Sequence, residues 1–472
     1  MNQLDPPSAQ LRWSVYSILI AVAIGAMLGR IMAVNSVDLV ALEGHLHREG
    51  RADWSRARPL LSANDRSRWA TTRSLVEHGT YAIDDVVAQR GWDTIDMVKH
   101  RDREGVEHLY SSKPPLFATL MAGEYWLIHR LTGATLGEYP YEIARFMLVT
   151  INVLPMIAYF FLLGRLADRF GTTDWARFYM MAVAAFGTFL TTFVVSINNH
   201  APAAVCVTIA VYAAVRIWYD GRRDLRYFAV AGFFAAFAVT NELPALSLCV
   251  ALGAALLWKA PRQTLLAYLP AAALVAVAAL GTNYIAHDSL RPPYMHRNQA
   301  DQADNWYDYS YLRDGKMRDS YWRNPVGIDR GEPSAAKYSL HATIGHHGVF
   351  SLTPVWILSA WGLVLLWRSG QKELALFIAA LSVVCLAFYL SRPQADRNYG
   401  GMTSGFRWMF WFAPLWLVAL LPAADRVANS RAGRALALLL LMFSVMSVTY
   451  PTWNPWTHPW LWNFLTYLGQ EV

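Results

Sequence analysis

The chain has 472 residues, of which 55% are apolar, 14% aromatic and only 16% charged, with three cysteines and a formal net charge of +7. Ordinary soluble proteins carry about a quarter charged residues, so these figures argue against a soluble multidomain enzyme, a disordered chain and a disulfide-stapled secreted domain. The 20 Trp and 23 Tyr suit a polytopic membrane protein, and much of the positive charge falls in short loops, which argues against nucleic-acid binding.

In chain order, spanning helices are predicted at 13–34, 141–167, 174–197, 201–219, 225–240, 242–258, 264–286, 348–367, 373–391, 406–423 and 432–450. The first is too long for a signal-peptide core and reads as an uncleaved anchor. Residues 35–112 hold 24 of the 75 charged residues, and 288–347 form a second dense block. Within the first block, Ser67–His78 reads as a short amphipathic helix, Gly79–Asp84 as an extended stretch and 96–110 as a polar hairpin. The Tyr-, Asp- and Arg-rich stretch 294–332 is expected to fold over the surface as a lid. Cys206, Cys249 and Cys385 each sit in an apolar run without metal spacing.

Five short loops are basic: Arg165, Arg169 and Arg177; Arg222, Arg223 and Arg226; Lys259 and Arg262; Arg368 and Lys372; Arg426, Arg431 and Arg434. The connections Asn198–His200 and Asn241–Glu242 hold no Lys or Arg. The positive-inside rule places the basic loops and the N-terminus in the cytoplasm. The apolar stretch 114–131 then reads as a juxtamembrane helix, because a span there would move every later basic loop outside. The expectation is an all-α polytopic membrane protein with about 11 transmembrane helices. Its organisation is an anchor helix (1–34), an outer loop with juxtamembrane helices (35–140), a bundle (141–286), an outer lid-like loop (287–347), C-terminal spans (348–450) and an outer tail (451–472). The expected placement is a multi-pass plasma (inner) membrane protein with its C-terminus outside. Most chemically interesting polar groups then share the outer face, which suggests a site there.

Asn64-Asp65-Arg66-Ser67-Arg68-Trp69-Ala70 and Tyr110-Ser111-Ser112-Lys113-Pro114-Pro115-Leu116 form the first constellation. Asp65 precedes an amphipathic helix at a position resembling an N-cap, where a carboxylate also suits the helix dipole. Lys113 stands where an apolar helix starts, either as a snorkelling lysine or as a cation held at headgroup level to meet a phosphate.

An Asp three residues before Arg-aromatic-Ala in the first outer loop, followed by Lys-Pro-Pro-Leu, resembles the GT-C polytopic glycosyltransferases. The pattern is nearest to the lipid A aminoarabinose transferases, the protein O-mannosyltransferases and the rhizobial lipopolysaccharide galacturonosyltransferase type. The resemblance is strongest over 60–170. It implies a GT-C-like fold, with Asp65 at the active site and Lys113 on the lipid phosphate of the donor. The family often has Asp-Glu where this chain has Asp65-Arg66, so the second acidic role is open, with Asp84 and Asp85 as candidates.

The later segment Asn398-Tyr399-Gly400-Gly401-Met402-Thr403-Ser404-Gly405-Phe406-Arg407-Trp408 opens a span. Its glycines allow close backbone approach, and Arg407 can grip a phosphate or simply anchor the interface. His341, His346 and His347 lack a familiar zinc pattern and read as packed loop residues or as contacts to phosphate or sugar hydroxyls. Asn198-Asn199-His200 and Asn241-Glu242 read as inter-helix turns or as sugar-hydroxyl contacts. No Walker loop, dinucleotide fingerprint or His-Glu-x-x-His occurs.

The expected reaction is transfer of a hexosyl or pentosyl unit from a polyprenyl-phosphate donor to a lipid, glycan or protein hydroxyl on the outer face, with inversion. Asp65 is the general base, and Lys113 and Arg407 meet the leaving phosphate. Arg68, Asp84, Asn199, His200, Glu242, His346, His347 and Tyr399 are candidate substrate contacts. No cofactor or resident metal is expected, although the resemblance extends to some members that need a divalent ion. Two alternatives are an O-antigen-ligase-like transferase using a lipid-diphosphate donor and a non-catalytic lipid transporter or assembly protein.

Overall fold

The computed structural model describes residues 6–48, 60–89, 91–297, 304–313, 315–452 and 454–469, with side chains described from residue 9 and not over 34–48. The chain is mostly helical. Eight segments are long and apolar enough to cross a membrane: Ala9–Ala33, Pro140–Phe170, Asp174–Phe193, His200–Trp218, Pro261–His287, Lys372–Leu390, Arg407–Val427 and Arg431–Thr449. Three further apolar helices, Leu225–Asn241, Leu243–Lys259 and Trp356–Arg368, are shorter. The protein is thus a polytopic, membrane-embedded helical protein.

The helix α1 (Pro6–Arg48) runs past the expected end at 34 into the stretch assigned to the first loop, whose sequence holds no proline or glycine from 30 to 43 to stop it. Next come α2 (Ala63–Glu77), α3 (Asp84–Val87), the antiparallel hairpin β1 (Met97–Arg101) and β2 (Glu107–Ser111), and α4 (Pro115–Thr132). The hairpin pairs Met97 with Ser111 and Arg101 with Glu107, as the polar pattern predicts. The α4 helix, expected at 114–131, packs on α2 and is not among the eight long apolar segments.

Then follow α5 (Pro140–Leu148), α6 (Leu154–Phe170), α7 (Asp174–Phe186), α8 (Leu190–Phe193), α9 (His200–Trp218), α10 (Leu225–Asn241), α11 (Leu246–Lys259), α12 (Pro261–Gln263) and α13 (Leu269–His287). One π-helical turn precedes Pro155, at Val149–Val153, and another precedes Pro270, at Thr264–Tyr268. Proline removes a backbone donor and crowds the preceding turn, and the wider turn keeps each helix continuous.

The second polar block carries a hairpin, β3 (Ser310–Arg313) and β4 (Lys316–Asp319), and α14 (Ala335–Thr343). This block lies against the first hairpin: Lys99 donates its backbone N–H to the Trp306 carbonyl at 3.0 Å, and Trp322 donates its indole N–H to the Ile95 carbonyl at 2.8 Å. The chain closes with α15 (Val349–Leu352), α16 (Trp356–Arg368), α17 (Lys372–Leu390), α18 (Ala413–Val427), α19 (Arg431–Thr449) and α20 (Trp460–Tyr467). Gly362 lets α16 press against the Ala419 carbonyl of α18, where any Cβ would collide with that oxygen. Starts of this kind need a cap, and Ser62, Thr173, Ser334 and Ser430 each accept a backbone N–H from the first turn of their helices.

Candidate functional site

The helix α2 is unusual: every residue from Asn64 to Ser74 is buried, although the run is mostly polar. The expected amphipathic face is therefore absent, and the polar side chains must find partners inside the protein. Ser62, not Asp65, is the N-cap, accepting the Asp65 N–H at 3.0 Å. Asp65 sits three residues into the helix, at the acidic position of a capping box, yet its carboxylate does not turn back to the Ser62 N–H. One oxygen accepts the Ile197 N–H at 2.9 Å, and the other the Leu61 N–H at 3.4 Å. Asp65 is 1% exposed, and burial pushes its carboxyl up to about 6, against the pull of those amides, Arg66 and Arg68.

One turn further along α2, Arg68 donates to the Asn64 side-chain oxygen and, at 3.2 Å, to that of Asn199. Burial lowers its guanidinium to about 10. Asn199 in turn donates to Glu242 at 2.6 Å, and His200 bonds the same carboxylate oxygen through Nδ1. The other ring nitrogen, Nε2, lies 2.8 Å from Arg407 Nη1. A guanidinium can only donate, so Nε2 accepts and Nδ1 carries the hydrogen given to Glu242. The start of α9 and the end of α10 therefore converge on Arg407.

Arg407 is gripped on two further sides. Its Nε donates to the Gly400 carbonyl at 2.7 Å, and its guanidinium lies 5.1 Å from the Trp456 ring centroid. Gly400 has φ +98°, and a Cβ there would stand 2.8 Å from Arg407 Nε, so this turn requires glycine. Arg407 Nη2 makes no hydrogen bond among the described residues.

The Lys113 ammonium pairs with Asp96 Oδ1 at 3.0 Å, with side chains 19% and 13% exposed. Burial depresses the lysine; Arg68 and Arg407 add to this and Asp96 opposes it. Three cations from α2, the β2–α4 junction and the start of the 407–427 helix thus share one buried field. Among the described residues the three N–H groups of Lys113 meet one acceptor. Ser67 locks the arrangement, its hydroxyl 2.6 Å from that of Ser111 and donating to the Asp96 carbonyl at 2.5 Å. From the second polar block, Asp329 accepts from Tyr321 at 3.0 Å and Asn398 at 2.9 Å, and burial raises its carboxyl.

Of the residues singled out in the sequence, Asp65, Lys113, Arg407, Arg68, Asn199, His200 and Glu242 belong to this assembly or its immediate support. Asp84 does not: it accepts from His108 and the Leu109 N–H, each at 3.1 Å, and fastens α3 to β2. Asp85 is exposed. His346 and His347 form an adjoining aromatic cluster, in which His347 stacks on Tyr399 at 4.8 Å and His346 meets Trp462 edge-on at 4.6 Å. Burial holds His346 down to about 3 and His347 well below its ordinary value. Tyr399 is one residue from the carbonyl that holds Arg407. Among the described residues no three His, Cys, Asp or Glu side chains are placed to hold a metal ion.

Sequence reasoning missed Asp96, Asp329 and Trp456. Asp96 is one acid among many in a polar hairpin and carries no local signature. Trp456 lies in the expected outer tail, with nothing local to single it out, yet its indole donates to Ser196 at 3.1 Å and its ring lies beneath Arg407. Trp453, in the same tail, lies outside the described residues. The fold and site together define a polytopic helical membrane protein with a buried cationic cluster at one end of its bundle. Neither a family model nor a curated relative matches the chain.

Proposed function

We propose that the protein is a membrane glycosyltransferase of GT-C type that moves a sugar from a polyprenyl-phosphate donor to an acceptor hydroxyl on the outer face of the membrane. In this reading all eleven apolar helices cross the bilayer, the three shorter ones included. The N-terminus is cytoplasmic, α4 lies at the outer interface, and the charged cluster faces outward. The observation that carries the reading is the meeting of Arg68, Lys113 and Arg407, with unused N–H groups on Lys113 and Arg407. Fixed cations in a site shielded from water are what a phosphate leaving group requires as its charge grows.

The diphosphate-donor alternative draws support from the third cation. Arg68, however, already gives three of its five N–H donors to Asn64 and Asn199, a larger share than Lys113 or Arg407 commits among the described residues, which favours a single phosphate. The charges gather at helix ends rather than mid-span, which disfavours a transporter.

The test is sugar transfer in membranes from a panel of radiolabelled polyprenyl-phosphate sugars. Lys113→Ala should weaken donor binding roughly 10- to 150-fold, the cost of about 1.5–3 kcal/mol for a hydrogen bond to a charged group. Undiminished transfer in that variant sinks the phosphate assignment. Transfer from no donor sinks the reaction itself.

A further inference from the structure

The transfer reaction needs a group to take the acceptor's proton, and the carboxylates near the cations differ in what they have free. Asp65 has both oxygens on backbone amides and is 1% exposed. Asp329 has both oxygens on Tyr321 and Asn398. Glu242 is 4% exposed, and its Oε1 is shared between Asn199 and His200. Glu242 Oε2 also makes no hydrogen bond among the described residues, but the Glu242 side chain is only 5% exposed and does not pair with Lys113, whereas Asp96 does. Asp96 Oδ1 meets Lys113 at 3.0 Å, while Oδ2 makes no hydrogen bond among the described residues, and the side chain is 13% exposed. Its backbone is pinned by the Ser67 hydroxyl and the Ser112 N–H at the carbonyl and by Thr94 at the amide. The carboxylate is therefore held rigidly next to the phosphate-binding lysine with one oxygen to spare.

Resting on the sugar-transfer reading, we propose that Asp96 is the catalytic base and Asp65 a positioning residue. The acceptor oxygen bonds to the anomeric carbon while the bond from that carbon to the phosphate oxygen breaks. The bonding pair leaves with the phosphate, whose added charge is met by Lys113 and Arg407. The acceptor's proton passes to Asp96 Oδ2 and is afterwards released to water. Asp65 acts through the backbone: its grip on the Ile197 N–H fixes the segment that leads into Asn199 and His200.

The alternative is that Asp96 serves only as the counter-ion of a buried lysine, to be displaced when phosphate arrives. The two differ in kinetics. For the full-length protein in nanodiscs, with the donor that the panel selects, Asp96→Asn should lower kcat roughly 10²- to 10⁴-fold, the usual contribution of a general base. Binding of tritiated undecaprenyl monophosphate should stay at least as tight as in the wild type, which shows that the variant is folded. Asp96→Glu should recover part of kcat, and Asp65→Asn should keep more than about a tenth of it.

A changed KM with kcat intact in Asp96→Asn overturns the proposal and leaves Asp96 a counter-ion. Loss of undecaprenyl monophosphate binding in both Asp96 variants also overturns it, in favour of a structural role. Transfer by the wild type that persists in Asp96→Asn defeats this assignment alone, whereas no transfer by the wild type from any donor defeats the reaction class as well.

Discussion

Charged networks occupy both ends of the helix bundle, and they are built on opposite principles. At the end where α6 finishes and α7 begins, Asp168 receives Arg12 at 2.7 Å, the Trp13 indole at 2.9 Å and the Tyr16 hydroxyl at 3.1 Å. Nearby, Asp425 receives the Thr172 and Thr173 N–H groups and the Thr173 hydroxyl. Both oxygens of each carboxylate are answered, and the result is a closed knot tying α1, α6, α7 and α18. At the other end, Lys113, Arg407 Nη2 and Asp96 Oδ2 retain hydrogen-bonding capacity unused among the described residues, although they are partly withdrawn from water. A saturated network stabilises; an unsaturated one, kept so by surrounding structure, is suited to a ligand that completes it.

Breaking the closed knot should produce the largest stability effect and no functional one. Asp168→Asn leaves the Arg12 guanidinium, 5% exposed, short of its main counter-charge. The expected loss is about 3 kcal/mol, at the lower end of the range for a broken buried pair because Asp174 remains a partner. Thermal unfolding in detergent would show it, with undecaprenyl monophosphate binding unchanged below the transition. A loss of binding at temperatures where the variant is folded would mean that the two ends are coupled.

Asp65 stands between the two principles, since it is saturated like the knot but lies in the open cluster. Its carboxyl is raised from 3.8 to about 6 when folded. The folded state therefore holds this proton more tightly than the unfolded one, and the stability that the group contributes falls as pH rises from about 4 to about 6. Asp65→Asn should remove about 3 kcal/mol of that pH dependence. Unfolding measured across this window for both proteins checks it; parallel curves would refute the buried titration.

The smallest effect sharpens the open end. Trp456→Ala removes the ring under Arg407 and should weaken undecaprenyl monophosphate binding by about 0.5–2 kcal/mol, or roughly 2- to 30-fold. Binding isotherms would report it. An unchanged affinity would return the tail to simple packing.

Much of this was legible beforehand, for reasons that differ by residue. The apolar runs that become the long helices report the cost of exposing backbone to lipid, which any sequence must meet locally. The hairpin at 97–111 is legible for a similar reason, because alternation and turn residues act over a few positions. Lys113 and Arg407 stood out because a cation beside an apolar helix start is locally anomalous. Asp84 stood out as well, yet it only fastens a short helix to β2, because an acid two residues from a turn looks the same whether it caps or reacts.

The amino-acid sequence by itself determined the polytopic helical class, the approximate segments and the gathering of polar chemistry between them, since burial of apolar surface and backbone pairing are enforced residue by residue. Tertiary structure alone decided which polar groups meet. Lys113 pairs with Asp96 across a hairpin, Arg407 joins His200 from 207 positions away, and Trp456 reaches Arg407 from the tail. Such partners are selected by the crossing of distant helices and by the need of each buried charge for a counterpart, and neither leaves a mark on the local pattern.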